Sequence, residues 1–154
     1  MSEWTCDTCG GRITEAKDGW VEWLYEHDSD REYGLRLVHH RPASPRPGGC
    51  QYDGREEFAR SRSSVKDLEL PFFLSPDGLM QLLQMVSDGR FSDREEVLEM
   101  IKRLHVPGYE KAHRHLEAAV AEGVYEPNAP LMYPFQDQIQ LANAWIDRER
   151  EKEH

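Results

Sequence analysis

The chain has 154 residues, 38% of them hydrophobic and 31% charged, with a net charge of -10. That length suits one ordinary domain or two small ones, and the aromatic and branched content is too high for general disorder. No stretch approaches the roughly 18–20 consecutive apolar residues of a membrane span, and the acidic, Trp-containing start lacks the basic and apolar regions of a secretory signal, so no membrane partner and a cytoplasmic location are expected.

The first chemically distinctive segment is Cys6-Asp7-Thr8-Cys9-Gly10-Gly11. Two cysteines separated by two residues and followed by glycine suit a tight turn that presents two thiolates, and glycine tolerates the positive φ such a turn needs. A reducing compartment disfavours a structural disulfide for three cysteines, which leaves metal ligation or redox catalysis. Redox catalysis wants the first cysteine at a helix N-terminus, and Gly10-Gly11 disfavours a helix there. Trp20 to Tyr25 (Trp-Val-Glu-Trp-Leu-Tyr) and Tyr33 to His39 read as two strands of a loose hairpin closed by the charged segment 26–32. The first strand is apolar on both faces except at Glu22, so something has to cover each face. Arg41 to Gly49 carries three prolines and two glycines and reads as an irregular loop delivering Cys50.

Cys6, Cys9 and Cys50 with one of His39 and His40 can therefore complete a tetrahedral Cys3His set around Zn2+. Neighbouring strand residues point to opposite faces, so only one histidine should reach the metal; His39 is favoured because it shares a face with Leu35 and Leu37, with His40 as the alternative. In ligand type and in its Cys-x-x-Cys-Gly turn, the segment resembles zinc-ribbon and rubredoxin-like knuckle modules over about residues 4–52. It departs from a standard ribbon, whose second ligand pair is another Cys-x-x-Cys. With every ligand position filled by thiolate or imidazole, the resemblance implies a structural zinc without catalysis.

Gln51 to Lys66 is polar and reads as a linker or mobile flap, and residues 68–74 as an apolar piece too short for its own helix. Four helices are expected beyond. Ser75-Pro76-Asp77 opens the first, striped by Leu79, Leu82, Leu83 and Val86 and stopped at Gly89. Ser92-Asp93-Arg94-Glu95 opens the second, with Val97, Leu98, Ile101 and Leu104 on one face before Pro107. Gly108 to Glu122 forms the third, with Tyr109, Ala112, Leu116, Ala119 and Val120 inward. Pro134 begins the fourth, with Ile139, Ala142 and Ile146 on one side and fraying expected from Asp147 onward. The fold class is thus α+β: a small zinc-stabilised antiparallel β module over residues 1–60, followed by a four-helix bundle over 67–150.

Nothing else forms a catalytic set. His113 and His115 are two apart and face different sides of a helix, and Glu99 with Arg103 and Glu110 with Arg114 are ordinary i, i+4 ion pairs. An enzyme site using His40, Tyr52 or Asp53 has no arrangement that supports it, so the protein is expected not to be an enzyme. Residues 31–66 hold eight basic against four acidic residues, whereas 67–154 hold 9 Lys plus Arg against 17 Asp plus Glu. The expectation is an interaction or adaptor protein with a protein partner. The alternative is nucleic-acid binding through the basic segment, with Tyr33 and Tyr52 stacking on bases.

Overall fold

The computed structural model describes residues 3–153. It is a mixed α+β chain of two compact units, Met1–Ile101 and Lys102–His154.

The first unit opens with a two-stranded antiparallel ribbon, β1 (Trp4–Thr5) and β2 (Arg12–Ile13). The expected hairpin follows as β3 (Gly19–Glu26) and β4 (Arg31–His39), each extending past its predicted start. Its register places Gly19 opposite His39 and Glu22 opposite Arg36. It then slips, so that Leu24 faces Tyr33 and two β4 residues oppose Trp23, which is a β-bulge.

The segment expected to be a linker is ordered. Asp53 caps α1 (Gly54–Ser61) by accepting the Arg55 and Glu56 amides, and Arg62 in the left-handed region ends it. The chain then enters β5 (Ser63–Glu69), which pairs antiparallel along the free edge of β3 and gives the strand order β4-β3-β5. Ser-Ser-Val-Lys-Asp-Leu-Glu has little strand character of its own, and the ladder offered by β3 decides its conformation. Leu70 to Leu74 does form a short helix, α2, and Ser75 caps α3 (Pro76–Ser87) through the Gly78 amide.

These elements account for the two apolar faces of β3. Val21, Trp23, Leu70 and Phe73 are all buried, with Trp23 edge-on to Phe73 at 6.1 Å. A Cβ at Gly78 would lie 2.2 Å from the Phe72 carbonyl oxygen, so only glycine permits the close approach of α3 to α2. On the opposite face of β3, Glu22 and Leu24 are buried. There the Tyr52 amide donates to Glu22, and the Tyr52 hydroxyl donates to the Gly34 carbonyl at 2.8 Å.

The helix α4 (Arg94–His105) buries Val97 and Met100, with Leu98, Ile101 and Leu104 of the expected stripe only partly covered, and the division between the units falls within it. In the second unit α5 (Tyr109–Ala112), a 3-10 turn at His113–His115 and α6 (Leu116–Ala121) replace the single third helix of the sequence reading. α7 (Gln136–Lys152) stays helical well past Asp147, closing with a Lys152–Glu149 ion pair of 3.2 Å in its last turn. Tyr109, Ala112, Leu116, Ala119, Ile139 and Ala142 form the core between these helices. The helices expected beyond residue 75 are thus divided: α3 lies in the first unit, and α5 to α7 lie in the second. Arg103 grips Glu110 with two hydrogen bonds of 2.6 and 2.9 Å, and Arg114 lies 4.0 Å from the same carboxylate.

Candidate metal centre

The turn between β1 and β2 is closed by two backbone bonds, Cys6 N–H to Gly11 O at 2.8 Å and Gly10 N–H to Cys6 O at 2.9 Å. Gly10 takes φ 76°, the left-handed conformation its position demands. Asp7 then fastens this turn to the end of β4. Its amide donates to the Leu37 carbonyl at 2.7 Å and its carboxylate accepts the Leu37 amide at 2.8 Å. Residue 39 is two positions further on the same strand face, and its ring stands beside the cysteine turn.

The loop after β4 returns Cys50 to the same point. Its carbonyl accepts the Thr8 hydroxyl at 2.8 Å and the Arg36 guanidinium at 3.1 Å, and its thiol meets the Ser44 hydroxyl at 3.2 Å. Ligand atoms of Cys6, Cys9, His39 and Cys50 consequently all lie within 4.8 Å of one another. The sequence-expected set is brought together by three separate segments of chain.

Two of the separations can be set beside those of a tetrahedral ion. With metal–sulfur distances near 2.3 Å and metal–nitrogen near 2.0 Å, sulfurs stand about 3.8 Å apart and sulfur from nitrogen about 3.5 Å. The His39 Nδ1 lies 3.5 Å from Cys9 Sγ and 3.9 Å from Cys50 Sγ. The other ring nitrogen, Nε2, is 2.9 Å from the Arg12 carbonyl oxygen, which can only accept. That contact places the ring proton on Nε2 and leaves the Nδ1 lone pair facing the sulfurs, the orientation a ligating histidine needs.

His40 is elsewhere. Its ring stacks on Trp20 with centroids 4.4 Å apart, and its amide donates to the Asp18 carbonyl at 2.7 Å. The alternation argument from sequence therefore selects the histidine that the cluster contains.

The thiols differ in their surroundings. Burial opposes ionisation of Cys6, but the backbone amides of Cys9, His39 and Thr8 work against it, and the thiol lies lowered, at about 7. Burial pushes Cys50 up, with the Ser44 hydroxyl working against that shift and Cys6 adding to it. Cys6 and Cys50 are buried and Cys9 is exposed; the Gly11 amide donates to the Cys9 sulfur at 3.3 Å.

The residues considered for an enzyme site do other things here. Tyr52 lies under the Arg36 guanidinium, 3.5 Å from ring centroid to Cζ, and Asp53 caps α1. Sequence reading missed the supporting groups around the cluster, namely Asp7, Thr8, Arg36 and Ser44. Asp7 and Thr8 stood inside the recognised motif, while the contribution of Arg36 and Ser44 depends on long-range pairing that no local pattern announces. Comparison with protein-family models, with curated proteins and with solved structures finds no match to this chain.

Proposed function

We propose that the cluster holds one structural zinc ion, and that the protein is a non-enzymatic, cytoplasmic interaction protein built around it. The observation that carries the metal reading is the convergence of Cys6, Cys9, His39 and Cys50 within 4.8 Å, with the His39 ring already oriented by Arg12. Three thiolates and an imidazole suit a tetrahedral, borderline-soft ion, and a full set of four protein ligands leaves no open position for substrate. Zinc bound there would couple metal affinity to folding, since the four ligands come together only in the folded chain.

A protein partner is favoured over nucleic acid. Of the basic residues in 31–66, Arg36 pairs with Glu22, Arg60 with Glu57, Arg62 with Asp28 and Lys66 with Glu32, so much of the positive charge is locally answered. Tyr33 and Tyr52 are engaged internally by Ser63 and Gly34. The feature supporting an interaction role is α3, which is apolar over more than the face it buries. Leu82 and Met85 point into the first unit, whereas Met80 and Leu83 are 66% and 46% exposed. The helix carries Asp77 in its first turn and no basic residue in its last. A partner segment with an apolar stripe and basic flanks complements that surface.

Metal analysis of the purified chain tests the central reading. One zinc per chain is expected, lost in Cys6→Ser, Cys9→Ser, Cys50→Ser and His39→Ala and retained in His40→Ala. Retention in His39→Ala, or absence of metal from the unmodified chain purified under reducing conditions, overturns it.

A further inference from the structure

The four ligands are unequal in their access to solvent. Cys6 and Cys50 each expose 1% of their surface, and His39 exposes 5%. Cys9 is the exposed thiol. Its neighbours leave it uncovered: a Cβ at Gly10 would meet nothing within 4 Å, and a Cβ at Gly11 would sit 3.3 Å from the Cys9 sulfur. Glycine at position 11 thus leaves out a methyl that would lie against the Cys9 sulfur. Metal-bound cysteine is a thiolate, the form that reacts with peroxides, and susceptibility follows thiolate character together with exposure.

We propose that Cys9 is an oxidation site at which hydroperoxides open the cluster and release its metal, an inference that rests on the zinc reading above. The Cys9 thiolate attacks one oxygen of hydrogen peroxide. An S–O bond forms, the O–O bond breaks, and the departing hydroxide takes a proton to become water, leaving Cys9 as sulfenic acid. The Cys6 thiolate then attacks the Cys9 sulfur; an S–S bond forms, the S–O bond breaks, and the second hydroxide leaves as water after taking a proton. Two thiolates lose two electrons, and one peroxide becomes two waters. Cys6 is the resolving partner because it shares the turn with Cys9, three residues away, and both sulfurs belong to the same close cluster. The ion is left with His39 and Cys50 alone, too few ligands to hold it.

The consequence reaches beyond the sulfurs. Cys50 anchors the loop that leaves β4, and the cysteine turn is the partner its carbonyl finds through Thr8. Loss of the ion would remove the link between the Cys50 thiolate and the cysteine turn, whereas the Thr8 and Arg36 bonds to its carbonyl involve no sulfur.

The zinc-loaded full chain, treated with hydrogen peroxide in the presence of a chromogenic zinc chelator and mapped by peptide mass spectrometry, tests this. The expected result is release of one zinc per chain with a Cys6–Cys9 disulfide, reversed by a thiol reductant and added zinc. Cys9→His keeps four ligands without the exposed thiolate, and release from it is expected to be at least about tenfold slower. Gly11→Ala, whose added methyl would sit 3.3 Å from the Cys9 sulfur and 3.6 Å from the His39 ring, is expected to slow release per zinc bound, and it serves where Cys9→His does not load. Release at an unchanged rate from both variants, or a first disulfide joining Cys6 to Cys50, overturns the proposal. Zinc that stays bound through peroxide treatment overturns it while leaving the metal reading standing, whereas a chain purified without zinc overturns both.

Discussion

Glu22 sits fully buried on β3, on the face opposite Val21 and Trp23. Burial pushes its carboxyl up, against the pull of Arg36 at 2.7 Å and the Tyr52 amide. A folded-state pKa above that of the unfolded chain means that this residue contributes stability below about pH 4.3, which is lost as the pH rises through the folded value. Removing the carboxylate nonetheless leaves Arg36 and the Tyr52 amide without their acceptor. Glu22→Ala is expected to cost about 3 kcal/mol in urea unfolding at pH 7. Glu22→Gln, which keeps an acceptor and cannot titrate, is expected to cost clearly less and to flatten the pH dependence above about pH 4.3. Equal losses in the two variants would refute this role. The pair was invisible in the sequence because residues 22 and 36 meet only through strand register, whereas Cys6 and Cys9 were legible from spacing, and strand alternation favoured His39 with His40 left open.

Among the elements, those with a strong local signal were readable, and those fixed by neighbours were not. The hairpin and the starts of α3 and α4 announce themselves through aromatic runs and caps. α1 and β5 do not, because their conformation is imposed by Asp53 at one end and the open edge of β3 along the other. Of the apolar run Leu70, Phe72, Phe73 and Leu74, Leu70 and Phe73 are entirely buried and the other two partly so. Exposed apolar side chains remain on α3 at Met80 and Leu83, and others stand at Phe135 and Leu141 in the second unit. Met80→Glu and Leu83→Glu should leave zinc content and helical signal unchanged while abolishing co-purification of a partner held by the unmodified chain. Mass measurement supplies the control: a dimer dispersed by either variant would make the occupant a second copy.

Across the whole molecule, all four cluster residues belong to the unit Met1–Ile101, and the core of Tyr109, Leu116 and Ile139 belongs to Lys102–His154. Metal removal should therefore act on one unit. Thermal unfolding in the presence of a strong chelator is expected to lower the transition reported by near-UV signals of Trp4, Trp20 and Trp23. Amide exchange in α7 should be unchanged at the same temperature. Equal loss of protection in both units would show that the metal stabilises the chain as one cooperative block.

The ligands of the cluster are scattered along the chain in a fixed order. Cys6 and Cys9 are made first, His39 thirty residues after Cys9, and Cys50 eleven residues later still. At synthesis rates of roughly 5–20 residues per second, the first two thiols wait about 2–8 s for the fourth ligand. During translation the two thiols of the turn therefore exist for that interval without the ligands that complete the set, and metal capture by all four follows the making of Cys50.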